Sequence, residues 1–148
     1  MFRGTSYHTI DDKGRIVIPS RFRELVRSDG ADGMIVTRMD QCLLGYPFEA
    51  WFKVETKIMQ LAETSESMRR FRRMFIGAAA ECSCDKQDRI LIPPTLRQYA
   101  GLNRDIVLVG VLDHFEIWSR DNYEREDVAL ENDLKNLEAR NEIARLGI

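Results

Sequence analysis

The chain has 148 residues, of which 44% are hydrophobic and 31% are charged, and its formal net charge is −2. These values are typical of a globular protein with one core, or with two small units that share one. No apolar run approaches the roughly 18 residues that a membrane span requires, and the N-terminus has no signal-peptide pattern. The sequence therefore predicts a cytoplasmic protein with no membrane partner.

Positive charge is concentrated in the first half of the chain. Residues 1–74 carry 13 basic and 10 acidic side chains, whereas residues 75–148 carry 9 basic and 14 acidic ones. Much of this acidity lies in residues 121–148, whose net charge is −4. Arginine outnumbers lysine 17 to 5, which suits fork-shaped recognition of phosphate and guanine. Composition alone leaves a nucleic-acid partner open.

The first predicted element is a strand over residues 1–10, followed by a polar turn, DDKG, that ends at Gly14. Glycine suits a tight turn that needs positive φ. The apolar, β-branched run over residues 15–18 predicts a buried return strand, and the two strands are expected to form a hairpin. Pro19 stops the strand and suits the first turn of a helix.

The next elements are a short helix over residues 20–27, which Gly30 helps to end, a strand pair and two longer helices. We expect Phe22 to face the core and Arg23 to point outward. The second half repeats this plan and adds a long C-terminal helix from about Asp121, with Leu130, Leu134 and Leu137 as its apolar seam.

One segment of the sequence occurs twice in similar form. Residues 11–23 read DDKGRIVIPSRFR and residues 85–97 read DKQDRILIPPTLR. At a constant offset of 74, six of these thirteen positions are identical: Asp11/Asp85, Arg15/Arg89, Ile16/Ile90, Ile18/Ile92, Pro19/Pro93 and Arg23/Arg97. The duplication predicts two tandem units, over residues 1–76 and 77–148.

Each copy places an aspartate four residues before an arginine. The carboxylate of Asp11 is expected to hold the Arg15 guanidinium through a bidentate, charge-assisted pair, and Asp85 to hold Arg89 likewise. Such a pair could orient the arginine side chain outward at the end of the turn, or it could serve only to stabilise the hairpin.

The second turn differs from the first, because Lys13-Gly14 is replaced by Gln87-Asp88. A cation is lost beside Arg89 and an anion is gained, which is unfavourable near phosphates. Lys86 compensates in part. The two turns are therefore predicted to be unequal in DNA binding.

The D-x-x-x-R turn, followed by R-[IL]-x-I-P and a short helix, resembles the AbrB-type swapped-hairpin DNA-binding domains. Two copies, an MFRG opening and a length near 150 resemble the MraZ family of bacterial transcriptional regulators. The resemblance implies an α+β fold, in which two AbrB-like units interleave into a pseudo-twofold β-barrel with flanking helices.

The same resemblance implies a nucleoid-associated regulator of the division and cell wall gene cluster. It would bind direct repeats in promoter DNA as a ring-forming homo-oligomer. The predicted DNA-binding residues are Arg15, Lys13, Arg3, Arg89 and Lys86. The predicted turn-stabilising residues are Asp11, Gly14 and Asp85.

Two other classes of function stay open. A protein-interaction module without DNA readout is the main alternative, and an enzyme acting on an anionic substrate is a weaker one. The sequence has no phosphate loop, no G-x-S-x-G and no metalloprotease motif, so no catalytic residue, metal or cofactor is predicted. We expect the three cysteines to be structural. The arginines within residues 69–73 are interpreted as a solvated helix face or as partners of the acidic tail, and a phosphate-contacting face is the alternative.

Overall fold

A computed structural model describes residues 1–27, 32–61 and 65–148. Gly30, predicted to help end the first helix, lies outside these residues. The described residues contain eight strands and six helices in chain order: β1 (Thr5–Thr9), β2 (Arg15–Val17), α1 (Ser20–Val26), β3 (Gly33–Met39), β4 (Cys42–Pro47), α2 (Phe48–Met59), α3 (Glu66–Gly77), β5 (Ala80–Ser83), β6 (Arg89–Leu91), α4 (Pro94–Ala100), β7 (Asp105–Gly110), β8 (Phe115–Ser119), α5 (Arg120–Asp133) and α6 (Leu137–Ala144).

The strands form two antiparallel sheets. Six strands make one sheet in the order β1-β7-β8-β4-β3-β5, and the remaining two, β2 and β6, pair only with each other. We call this two-stranded sheet the ribbon. The two halves of the chain are interleaved, since β1 pairs with β7, β5 pairs with β3, and β2 pairs with β6.

The predicted hairpins and the closed barrel are wrong in their strand pairing. The turn after β1 leads into β2, but these strands pair with β7 and β6 and not with each other. In the six-stranded sheet β1 and β5 are the two edges. The three-residue strands β2 and β6 pair with each other in the ribbon. No strand of the described residues therefore bridges the β1 and β5 edges of the six-stranded sheet. The sheet is open.

Both faces of the six-stranded sheet are covered. Because side chains alternate along a strand, Ile106 and Leu108 of β7 enter one core while Val107 between them enters a second. The first core lies between the sheet, the ribbon and the short helices, and its centre is the aromatic cluster of Phe2, Phe22 and Phe115, with ring centroids 5.2–5.5 Å apart.

The second core lies under α2, α3 and α5. It contains Trp51, Phe75 and Trp118, and the Thr37 hydroxyl donates a buried hydrogen bond to the Phe75 carbonyl at 2.6 Å. This bond attaches α3 to the sheet. The arginine-rich segment 69–73 belongs to α3 and therefore lies on the side of the sheet away from the ribbon. Within it, Arg70 forms an ion pair with Glu66.

Two helix predictions need correction. Arg23 is not directed outward: its side chain is only 4% exposed, because α1 packs this position against the turn of the other half. The single C-terminal helix is two helices, α5 and α6, separated at residues 134–136, and neither contains a buried residue. No helix among the described residues is both long enough and apolar enough to cross a membrane.

Candidate nucleic-acid interface

The ribbon has one buried and one exposed face. Its centre is the pair Ile16–Ile90, whose side chains are fully buried in the first core. Alternation along each strand sends the neighbouring side chains to the opposite face. That outer face carries two arginines and two apolar residues that are about half exposed: Arg15, Val17, Arg89 and Leu91.

The register places the two arginines near each other. Arg15 is directly opposite Leu91, and Arg89 is directly opposite Val17. Arg15 and Arg89 are therefore diagonal neighbours on one face, with α-carbons roughly 7–8 Å apart. The pairing is reciprocal, because position 15 is opposite position 91, the equivalent of 17, and position 89, the equivalent of 15, is opposite position 17. The duplicated D-x-x-x-R segment thus delivers both arginines to one surface.

The first turn is held by Asp11. One carboxylate oxygen accepts the backbone N–H groups of Arg15 at 2.8 Å and Lys13 at 3.0 Å, and the other accepts Nε of Arg15 at 2.6 Å. The predicted bidentate pair is thus a single side-chain contact with two backbone bonds. These bonds, first that from the Arg15 N–H, lower the pKa of Asp11 below its ordinary value.

The second turn repeats these contacts and adds one. Asp85 accepts the N–H groups of Arg89 and Gln87 at 2.9 Å each and Nε of Arg89 at 2.8 Å. In addition, Nη2 of Arg89 donates to the Gln87 side-chain oxygen at 2.9 Å. In residues 1–27, 32–61 and 65–148, the terminal nitrogens of Arg15 have no such acceptor. Arg15 is therefore the freer of the two guanidinium groups.

Asp88 is not an uncompensated anion beside Arg89. Its Oδ1 is 3.2 Å from Nε of the buried Arg23 and 3.8 Å from Nη2 of Arg27. The charge of the Asp88 carboxylate is thus neutralised by two arginines of the other half of the chain. The prediction that the two turns are unequal in DNA binding therefore rests on the Gln87–Arg89 bond and on the absence of a counterpart of Lys13, and much less on the charge of Asp88.

The remaining predicted DNA-binding residues divide into two groups. Lys13 and Lys86 are exposed at the tips of the two turns. Arg3 precedes β1, and its backbone lies beside Gly110 at the end of β7. The first turn follows the other end of β1, where Thr9 pairs with Asp105. The structure brings together four of the five predicted cations and leaves Arg3 apart.

Sequence reasoning missed Val17 and Leu91 as members of this surface. The signal was present, because a strand whose central isoleucine is buried must turn its two neighbours outward. It also missed Arg97, whose guanidinium lies against Gly14: a Cβ at Gly14 would be 2.6 Å from the Arg97 Cζ. Nothing in the local sequence indicates that contact, because it joins the two halves.

The cysteines are all free thiols. Burial raises the pKa of Cys82 to about 11 and places that of Cys42 well above its ordinary range. Within the described parts of the chain, no three side chains of the metal-binding types are grouped closely enough to hold a metal ion.

Comparison with known proteins decides the family. The family model described as "MraZ protein, putative antitoxin-like" matches the chain twice, over residues 1–74 and 74–142. Together the two matches cover nearly the whole chain.

The chain belongs to the MraZ family.

Relatives in the MraZ family match it along most or all of its length. A transcriptional regulator MraZ of Desulforapulum autotrophicum is 55% identical over 148 residues, and that of Desulfosudis oleivorans is 53% identical over 148 residues, with both chains fully covered in each case. The MraZ of Lactiplantibacillus plantarum is 46% identical over 125 residues, which cover 84% of this chain and 86% of that one.

Proposed function

We propose that this MraZ protein is a sequence-specific DNA-binding transcriptional regulator that reads double-stranded DNA with the outer face of the ribbon. Relatives of 46–55% identity are named transcriptional regulators. The observation that carries the proposal is the register that places Arg15 and Arg89 as diagonal neighbours on one exposed face.

A two-stranded β-ribbon is a type of element that enters the DNA major groove. That groove is about 12 Å wide. Arginine is the side chain that pairs bidentately with the O6 and N7 acceptors of guanine. We assign this role first to Arg15, because its terminal nitrogens are not engaged by an acceptor in the described residues. Val17 and Leu91 are suited to thymine methyl groups.

Lys13 and Lys86 at the turn tips are assigned to phosphates on either side of the groove. Phosphate contacts fix the register of a protein on DNA but do not read sequence. Asp11 and Asp85 stabilise the turns and Gly14 allows the first one to close. The proposed interface omits Arg3, because it lies at the far end of β1 from the turn.

We further propose that the chain binds direct repeats as a ring-shaped homo-oligomer. One protomer offers only two arginines on its ribbon, and one of these is already engaged by Gln87. Linking several weak contacts raises the effective concentration of each next one and increases avidity by roughly 10²–10⁴. A head-to-tail arrangement presents every ribbon to DNA in the same sense, which requires direct repeats and not a palindrome.

The proposed origin of the two halves and the proposed target genes follow from the family resemblance. The interleaved strands support an AbrB-type origin of the two halves, with a boundary near residues 76–77. Action on the division and cell wall gene cluster in the nucleoid of the cytoplasm is part of the same proposal. No catalytic step and no cofactor is needed for this function.

A second candidate is a protein-interaction module. It is favoured by α5 and α6, which contain no buried residue and expose apolar side chains such as Val128 and Leu137. Such a module would show no affinity for duplex DNA. DNA binding, in contrast, weakens steeply as salt rises, because bound phosphates release counterions.

The test uses promoter DNA recovered by genomic pull-down with the full chain. Duplexes with one, two, three or four copies of the recovered repeat, spaced about 10 bp apart, are titrated while light scattering gives the mass of the protein. Affinity should climb with repeat number and collapse when five base pairs are inserted between repeats. A protein that binds one repeat as tightly as four would contradict the ring, and one that binds no duplex would contradict the function.

A further inference from the structure

Each turn is contacted by an arginine from the other half of the chain. Arg23 on α1 contacts the second turn, with Nε at 3.2 Å from Oδ1 of Asp88. Arg97 on α4 lies against the first turn, where its guanidinium fills the space that a side chain at Gly14 would occupy. Positions 23 and 97, and positions 14 and 88, are related by the same offset of 74 residues.

A backbone hydrogen bond accompanies each of these contacts. The N–H of Ile18, just after β2, donates to the carbonyl of Asp88 at 2.8 Å. The N–H of Ile92, just after β6, donates to the carbonyl of Gly14 at 2.9 Å. The last residue of each turn is thus held twice by the opposite half, once by backbone and once by an arginine. Each turn's own half supplies the aspartate.

Both turns use a left-handed residue at this point, with φ of 89° at Gly14 and 62° at Asp88. What the arginine meets there is different. Arg23 meets a carboxylate, and its Nη2 also donates to Oδ2 of Asp32 at 3.0 Å. Arg97 meets a glycine. Its buried Nε has no hydrogen-bond partner among the described residues, and the same holds for Nε and Nη1 of Arg23, whose Nε contacts Asp88 only at ion-pair distance.

We propose that Arg23 and Arg97 are positioning residues for DNA recognition, each fixing the turn that carries the DNA-contacting arginine of the opposite half. Arg23 fixes the turn of Arg89 through its ion pair with Asp88. Arg97 fixes the turn of Arg15 by packing against Gly14. This inference rests on the proposed function for its consequence at DNA, but the positioning itself is a property of the free protein.

The arrangement explains why so long a cation is buried at position 23 and partly buried at position 97. The Arg23 side chain is 4% exposed and Asp88 is 46% exposed, so the pair joins the core to the surface of the turn. Breaking an ion pair between partly buried groups leaves the remaining charge poorly solvated. The turn therefore keeps the conformation in which Arg23 and Asp88 meet, and Arg89 begins the strand immediately after it.

The first arm of the test measures hydrogen exchange of the turn amides in the full chain without DNA. In Arg23→Gln the amides of Gln87 and Arg89 should exchange faster, on the order of tenfold, because local opening no longer breaks the ion pair. The amides of Lys13 and Arg15 should be unchanged. Arg97→Gln is the matched control and should give the reverse pattern.

Because Arg23→Gln changes a buried residue and could prevent folding, a second variant removes the same ion pair from its more exposed partner. Asp88→Asn keeps a residue that tolerates the left-handed conformation and removes only the charge. It should accelerate exchange in the second turn alone. If neither variant changes the second turn, or if both turns change equally in each variant, the positioning role is wrong.

The second arm is a double-mutant cycle on DNA affinity. Arg89→Ala should reduce DNA affinity at least severalfold less in the Asp88→Asn background than in the wild-type chain. The reduction in affinity caused by Arg15→Ala should be the same in both backgrounds. A purely structural role would lower affinity without changing either loss, and that result would overturn the proposal. If the exchange pattern is as expected but the wild-type chain binds no duplex, the DNA function fails while the positioning of the turns stands.

Discussion

The two turns of this protein share one backbone design but differ in how their last residue is stabilised. Both hold an arginine by the same set of bonds to an aspartate, and both are closed by a left-handed residue. The first relies on glycine and close packing, whereas the second relies on an aspartate and a partly buried ion pair. Duplication of a motif therefore preserved its geometry while the interactions behind it changed.

The difference is tested most strongly by adding a methyl group to the first turn. Gly14→Ala should lower the free energy of unfolding by roughly 2–4 kcal/mol, because φ is 89° there and the new Cβ would be 2.6 Å from Arg97 atoms. The measurement is chemical denaturation of the full chain.

Gly101→Ala is the matched control for this substitution. Gly101 also has positive φ, at 65°, but nothing lies within 4 Å of its added Cβ. It should cost only the backbone preference, about 1–2 kcal/mol. Equal losses at the two glycines would show that the contact between Arg97 and the first turn contributes nothing.

At the interface, Arg15→Ala should weaken specific DNA binding by ~1–3 kcal/mol and relax the base preference at one position. The reason is the loss of a guanidinium whose fork is available to a guanine edge. Arg140→Ala removes the same charge from α6, which is not part of the proposed interface, and should leave the affinity nearly unchanged. Affinity would be measured by fluorescence anisotropy in one buffer.

If Arg15→Ala and Arg140→Ala have the same affinity as the wild type while both stay folded, Arg15 does not read DNA. If both weaken binding by the same amount, only net charge matters.

Arg89→Ala should have a smaller effect than Arg15→Ala, below about 1 kcal/mol, because Gln87 already engages Nη2 of Arg89 and must release it first. Gln87→Ala should then bring the loss at Arg89 closer to that at Arg15. Losses of equal size in the wild-type background would remove the distinction between the two turns.

The parts of this fold that local sequence predicts are those that depend on local chemistry. The polar turns, the β-branched strands, the proline starts of α1 and α4 and the helical α+β character follow from residues close to one another in sequence. The repeat also places Arg15 and Arg89 in equivalent positions, which is why both could be named as site residues.

What the sequence did not reveal depends on contacts between the halves. Strand patterns do not specify partners, so β1 and β2 were expected to pair with each other and not with β7 and β6. Arg23 looks like a surface residue from its charge, and its burial depends on two carboxylates, Asp32 and Asp88, of which Asp88 comes from 65 residues away. The open sheet follows from the same partner choice.

If the outer face of the ribbon lies against DNA, as we propose, site-specific photocrosslinking should detect the contact. A benzophenone side chain would be placed in turn at position 17, at position 91 and, as a control of similar exposure on α5, at position 128. Val17, Leu91 and Val128 are 49%, 56% and 62% exposed, so each accepts the probe. We predict crosslinks to repeat-containing duplex from positions 17 and 91, suppressed by unlabelled repeat DNA, and none from position 128. Crosslinks from position 128 without any from positions 17 and 91 would contradict DNA binding through the ribbon.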